Sequence, residues 1–203
     1  MPNLYPAFER QEVVIHSPRH VRSFAELTDD EIGLVAEAWN ARLATAGASY
    51  VHALINEGRT AGASLPHSHS QLVWLPEPPP AVAAESSEGL TELVESAREQ
   101  KLVVAEADDL LAFCHPVGRL PYETLIAPGP HATLADALRL LRDLVARLRE
   151  AEGPLPWNAW LHRGDLWHIE LVPRLSVLAG IELGAGIYVN SVPPEQAAEN
   201  LRG

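Results

Sequence analysis

Apolar and polar positions fall along the chain in blocks whose period changes, and each change marks the start of an element. Glu12-Val13-Val14-Ile15-His16 is a β-branched run that ends at the turn Ser17-Pro18-Arg19-His20, which predicts a strand. Behind it, Thr28-Asp29-Asp30-Glu31 is a capping box with acid in the first turn. Ile32, Val35, Ala36, Trp39 and Leu43 then recur at helical spacing, so a helix is predicted to about Ala44. Residues 50–55 and 69–75 predict two further strands around a loop rich in glycine and serine. Residues 76–89, dominated by Pro, Ala, Glu and Ser, predict an exposed linker with neither ladder nor packed helix, and a short helix follows near residues 90–100.

The pattern then starts again. Glu123-Thr124-Leu125-Ile126-Ala127-Pro128-Gly129-Pro130-His131 follows the first strand and turn in kind, with Glu at the start, Pro at the turn and His at the end. Residues 135–150, with Leu138, Leu141, Leu144, Val145 and Leu148 on one side, answer the first helix; residues 157–162 answer 50–55. The last strand, residues 166–173, answers 67–74, so that His168 matches His69, Glu170 matches Gln71, and Leu166 stands where the first copy has His67. The chain therefore reads as one unit duplicated and diverged. Each unit is strand, long helix, then strands, which predicts an α+β fold: two fused units, each an antiparallel sheet with a long helix, packed as a pseudo-dimer with a shared sheet. The expected division is a first repeat with the candidate site at 1–76, a linker and short helix at 77–100, a degenerate second repeat at 101–175, and a C-terminal substrate-contact segment and helix at 176–203. A hairpin at 102–106 and 110–113 leads the second copy, whereas the first has only the stub 3–8. The expectation is of a unit shortened at its N-terminus.

Composition narrows the chemistry. The chain has 203 residues, 47% of them apolar, and no apolar run long enough to cross a bilayer. No secretory leader opens it, so a cytoplasmic protein with no membrane partner is expected. A net charge of −12 would repel a nucleic acid, but a small phosphate ester can still be held by backbone N–H groups and a few local cations. The single cysteine, Cys114, excludes an intramolecular disulfide and any zinc site built on a cysteine pair.

The candidate chemistry lies in Asn56-Glu57-Gly58-Arg59-Thr60-Ala61-Gly62-Ala63-Ser64-Leu65-Pro66-His67-Ser68-His69-Ser70-Gln71. Its loop can release backbone amides near Gly62, Ala63 and Ser64. Two imidazoles and an amide then sit at i, i+2 and i+4, one face of a strand. A neutral imidazole can attack phosphorus if its far nitrogen is held by an acceptor and the phosphoryl group by donors. Asn56, Ser64 and Gln71 are such donors, and Arg59 could add charge. A metal bound by His67 and His69 alone would leave those donors without a task. His16, His52 and His115 read as satisfied structural histidines.

The stretch from Asn56 to Gln71 closely resembles the active-site signature of the galactose-1-phosphate uridylyltransferase family, within the histidine triad superfamily. Trp167-His168-Ile169-Glu170, the following Pro173-Arg174-Leu175, and Ala179-Gly180-Ile181-Glu182-Leu183-Gly184 with Tyr188 and Asn190 resemble its C-terminal part. The resemblance implies that His69 is a nucleophile forming a nucleotidyl-histidine, with Gln71 as its catalytic companion holding the transferring phosphate. It further implies that Asn56, Gly62, Ala63, Ser64, His168, Glu182 and Tyr188 bind substrate. The implied reaction moves a nucleoside monophosphate between a nucleotide sugar, or a dinucleotide, and a sugar phosphate, as in galactose metabolism. The implied assembly is a homodimer whose second chain closes the site. Hydrolysis or phosphorolysis of a nucleotide conjugate, or nucleotide binding without catalysis, are the alternatives.

Family members with structural zinc carry cysteine pairs, completed by histidines corresponding here to His20 and His67 in the first copy and His131 in the second. The pairs are missing, and Leu166 replaces the last ligand. No cofactor and no metal ligand is therefore expected in the chain, and His67 is expected to support His69.

Overall fold

The computed structural model describes residues 1–45 and 49–202. In chain order its strands are β1 (Gln11–Ile15), β2 (Tyr50–Glu57), β3 (His69–Leu75), β4 (Val103–Ala107), β5 (Leu110–Cys114), β6 (Thr124–Pro128), β7 (Trp157–Arg163) and β8 (Trp167–Pro173). Its helices are α1 (Asp29–Leu43), α2 (Pro80–Ala83), α3 (Ser87–Glu99), α4 (Leu134–Glu152), α5 (Gly180–Ala185) and α6 (Pro194–Arg202). All the strands join one eight-stranded sheet in the order β1-β3-β2-β7-β8-β6-β5-β4, each paired antiparallel to its neighbours. The order reads as two copies back to back. β1-β3-β2 mirrors β6-β8-β7, and the copies meet where β2 pairs with β7. The fold is the α+β pseudo-dimer that the duplicated pattern predicts.

The helices form where the caps and apolar stripes require. Thr28 caps α1 and Glu31 reaches back to the Thr28 backbone, completing the box. Ile32, Val35, Ala36 and Trp39 turn inward, and Leu138, Leu141, Leu144, Val145 and Leu148 of α4 do the same. They cover one sheet face, where Ala53, Ile55, Leu72, Ala159, Leu161, Ile169 and Leu171 are buried in a single apolar core. Trp39 Nε1 donates to Ser70 Oγ at 2.8 Å inside it, giving a buried indole its partner.

The other face carries the polar side chains. Ile15 stands opposite His69, Asn56 opposite Asn158, and Asn158 opposite Val172. Ile55 pairs with Ser70, so the next positions in that register, Asn56 and His69, are side by side. Ile15, His69, Asn56, Asn158 and Val172 thus form one row across the sheet. Farther along the same face, Val73, His52, His162 and His168 form another.

The linker expectation needs correction. Residues 76–89 contain α2 and the first turn of α3, and Val82 and Leu90 are buried. Pro80 starts α2, where its fixed φ and missing N–H suit a first turn, and Ser86 caps α3 by accepting from Gly89 N at 3.0 Å. At the sheet edge, residues 1–3 hydrogen-bond along β1: Val13 N donates to the Met1 carbonyl and Asn3 N to the Gln11 carbonyl, each at 2.8 Å.

Candidate active site

β2 ends in a turn that only glycine permits. Gly58 has φ +86° and ψ 151°, and an added Cβ would stand 2.8 Å from Pro156 Cβ. One 3₁₀ turn, Arg59–Ala61, follows and closes on Gly62 at φ +91°. Within it, Gly62 N donates to the Arg59 carbonyl at 3.1 Å and Ala63 N to the Gly58 carbonyl at 3.2 Å. The amides of Gly62 and Ala63 are therefore spent inside the loop and are not the free phosphate donors expected. Among the described residues, Ser64 makes no hydrogen bond, and it lines a cleft of about 750 Å³ together with Asn56, Ala63, His67, Ser68 and His69.

His69 begins β3 and is buried. Its Nδ1 lies 2.8 Å from the His67 carbonyl. A carbonyl only accepts, so Nδ1 carries the proton and Nε2 keeps its lone pair. The support from residue 67 thus comes through its backbone. The His67 ring instead places Nε2 2.8 Å from the Arg19 carbonyl and packs edge-on to His20, with centroids 5.6 Å apart. Beneath them, His16 Nδ1 meets Ser68 Oγ at 2.8 Å; burial, reinforced by the neighbouring His69 and His67, pushes the His16 imidazole down to about 3. It is a neutral structural histidine, but only half satisfied, because its buried Nε2 has no hydrogen-bond partner among the described residues.

Three arginines, Arg22, Arg59 and Arg149, line the same cleft. Arg149 lies 3.9 Å from Glu57, whose carboxylate accepts from Ser23 Oγ at 2.8 Å and Phe24 N at 2.7 Å; burial pushes that carboxyl above its ordinary value. Arg22 and Arg59 have no carboxylate in ion-pair range among the described residues. Gln71 is one row away: its Oε1 accepts from Gln11 Nε2 at 2.5 Å, and the residue does not line the cleft. Glu182 accepts from Ala179 N at 2.8 Å at the start of α5, and Tyr188 is 45% exposed; neither reaches the cleft of its own chain.

His168 is likewise elsewhere, because β8 lies beyond β2 and β7 and its register sets the residue in the other row. It joins Glu85, His162 and Glu170, whose ligand atoms all lie within 4.8 Å of one another at a second cavity of about 790 Å³. His162 Nδ1 is 2.7 Å from Glu85 Oε1 and 3.2 Å from Glu170 Oε1, and His168 Nε2 is 3.4 Å from Glu170 Oε1. Two imidazoles and two carboxylates suit a divalent cation such as zinc or iron. This cluster escaped the sequence reading. His162 and His168 are direct cross-strand partners, with Glu170 two positions on, and that signal was present once the strands were paired. Glu85 comes from the linker and had none.

Residues 34–202 match the family described as "Domain of unknown function (DUF4921)". The chain belongs to the DUF4921 family. This DUF4921 protein is 27% identical to an ADP-glucose phosphorylase of Arabidopsis thaliana, over 96% of its own length and 64% of that relative. It is 25% identical to a galactose-1-phosphate uridylyltransferase of Thermotoga maritima, over 94% of this chain and 73% of the other. A GalT-like protein from A. thaliana superposes with a TM-score of 0.86 at 26% identity, covering 100% of this chain and 82% of that one. An A. thaliana ADP-glucose phosphorylase solved with bound ADP-glucose gives 0.85 at 25%, covering 100% and 80%. The resemblance carried by the Asn56–Gln71 stretch is thus matched along the whole DUF4921 chain, while the chain spans just under two thirds of the plant phosphorylase's length.

Proposed function

We propose that the chain is a nucleotidyltransferase that acts on a nucleotide sugar through a nucleotidyl-His69 intermediate. The observation that carries this reading is the His69 ring, pinned through Nδ1 to the His67 carbonyl, beside Asn56 at a cleft lined by Ser64 and arginines. In the first step the Nε2 lone pair attacks the nucleotide's α-phosphorus, and the bond to the bridging oxygen breaks, releasing a sugar phosphate. The Nδ1 proton stays shared with the His67 carbonyl and steadies the charge gained by the ring. In the second step a phosphate oxygen of the acceptor attacks the same phosphorus, the P–N bond breaks, and His69 returns to its neutral form.

Arg22 and Arg59, free of ion pairs among the described residues, favour an anionic acceptor over water. The acceptor is a sugar phosphate or inorganic phosphate; the resemblance to proteins named ADP-glucose phosphorylase supports the second, and that to uridylyltransferases the first. Incubation with ADP-glucose or UDP-glucose labelled at the α-phosphate should leave acid-labile label on the protein that is absent from His69→Ala. Equal label on both proteins, or none on either, refutes the reading. Adding inorganic phosphate or a sugar phosphate should then discharge the label and identify the acceptor by its product.

A homodimer is part of the proposal. Val177, Leu183 and Val189 of the C-terminal segment are 85%, 74% and 58% exposed, and a second copy would cover them while bringing Glu182 and Tyr188 to its cleft. Light scattering at assay concentrations tests it, and a monomeric mass under turnover conditions refutes it.

A further inference from the structure

We propose that Asn158, held by Arg174, is a positioning residue that fixes the Asn56 carboxamide with its NH₂ end toward the cleft. A carboxamide has a donor end and an acceptor end of nearly the same shape, and only its partners decide which way it faces. The partners of Asn158 are unambiguous. Its Nδ2 lies 2.8 Å from the Ala61 carbonyl, which can only accept, and Arg174 Nη1 lies 3.3 Å from its Oδ1 and can only donate. Asn158 is therefore locked as a donor on the loop side. The same Nδ2 lies 2.7 Å from Asn56 Oδ1. Asn56 must accept there, so its Nδ2 is the end left over. That nitrogen donates to no group among the described residues, and it lies 3.7 Å from where a Cβ on Gly62 would stand, next to Ala63 and Ser64, which line the cleft with Asn56 itself.

The consequence is chemical. The inference rests on the reading that Asn56 meets phosphoryl oxygens, which only accept. A reversed Asn56 would present an oxygen to an oxygen and replace an attraction with a repulsion. His69, Asn56 and Asn158 stand in one row, so the clamp acts beside the nucleophile. Asn158 also bridges to the Ala61 carbonyl, so one side chain of the second repeat sets both the amide and the 3₁₀ turn of the first. Arg174 is itself anchored, its backbone N donating to the Pro156 carbonyl at 2.8 Å.

Asn158→Asp keeps the shape and the bond to Arg174 but turns an oxygen toward Asn56, which then rotates its own NH₂ inward. ADP-glucose and UDP-glucose binding is measured by calorimetry on the full chain in a His69→Ala background, where turnover is absent. Asn158→Asp should raise Kd at least 10-fold, and this loss should shrink at least 3-fold when Asn56 is already Ala, the remainder reflecting the lost bond to the Ala61 carbonyl. Asn158→Ala, which removes the clamp without adding an oxygen, should lose affinity in the same direction and by less; it serves if the Asp variant does not fold. Equal losses with and without Asn56, or unchanged affinity, overturn the positioning role, since a residue that merely stabilises the loop would weaken binding equally in both backgrounds. Binding with intact coupling but no covalent label on wild type overturns the transfer chemistry and leaves the clamp standing. Failure of wild type to bind either nucleotide sugar overturns both.

Discussion

Replacing Gly58 by alanine separates two costs that the structure allows to be measured apart. Gly58 sits at φ +86° and ψ 151°, and its new Cβ would stand 2.8 Å from Pro156 Cβ and 3.0 Å from Pro156 Cα. Gly153, which ends α4, has nearly the same backbone, φ +78° and ψ 179°, with nothing within 4 Å of an added Cβ. Gly153→Ala therefore reports the dihedral cost alone, about 1–3 kcal/mol for a conformation that is essentially glycine's. Gly58→Ala adds overpacking against a proline ring that cannot swing aside, about 1–3 kcal/mol more. At about 2–4 °C per kcal/mol for a chain of this size, Gly58→Ala should melt roughly 2–12 °C below Gly153→Ala. Thermal denaturation followed by circular dichroism gives both melting points. Pro156→Gly should recover much of the difference in the double variant, because it removes the ring. Equal melting points for the two alanine variants would falsify the argument that the Asn56 loop is braced against Pro156.

Other expectations follow from the same geometry. Ser70→Ala leaves the buried Trp39 N–H without its 2.8 Å partner and should cost about 1–3 kcal/mol in urea unfolding; an unchanged midpoint contradicts it. Glu31 is held well below its ordinary carboxyl value of 4.5 by hydrogen bonds from Arg19, Ser17 and the Thr28 backbone. A depressed pKa gives stability that is full above that ordinary value and lost as pH falls below it. The melting-point gap between wild type and Glu31→Gln should therefore be widest near neutrality and close as the solution is acidified from about pH 5; a gap independent of pH refutes the assignment. Burial pushes the Cys114 thiol up to about 12, so a thiol reagent at pH 8 should label it only after denaturation, and rapid labelling of native protein would be the contrary result. Chelator-treated protein should gain thermal stability on adding zinc or ferrous iron, by about 2.7 kcal/mol at 100 times the dissociation constant, and His162→Ala should lose the gain. A gain that persists in that variant places the ion elsewhere.

The strands were legible because each ended at a marked turn, and the duplication because strand, helix and strand recur in order. His69 was legible for a local reason, its place directly after a glycine-rich loop. What stayed hidden depended on partners far along the chain. Nothing near Gly62 and Ala63 says that their amides fold back on Arg59 and Gly58; that follows from the tight turn at Gly58, packed against Pro156. His168 looked equivalent to His69 by repeat, yet the register that pairs it with His162 carries it to another cavity. Asn158 in a strand looks like any outward polar residue until Asn56 is seen opposite it. Glu85 lay in a stretch read as an exposed linker, and only the fold of α2 and α3 brings it to His162.

The β2–β7 seam has an implication for how such a duplicated chain can change over time. The second repeat has no counterpart of the Asn56-to-Ser64 loop, yet its Arg149, Leu155 and Pro156 line one side of the first repeat's cleft, and its Asn158, bonded to Arg174, hydrogen-bonds Asn56 and the Ala61 carbonyl of that loop. On the function proposed above, one copy carries the chemistry while the other serves as its mould. Such a pair can specialise, since each half is released from the other's original task. It cannot be split, because separating the halves would strip the working copy of the surface against which its loop is shaped.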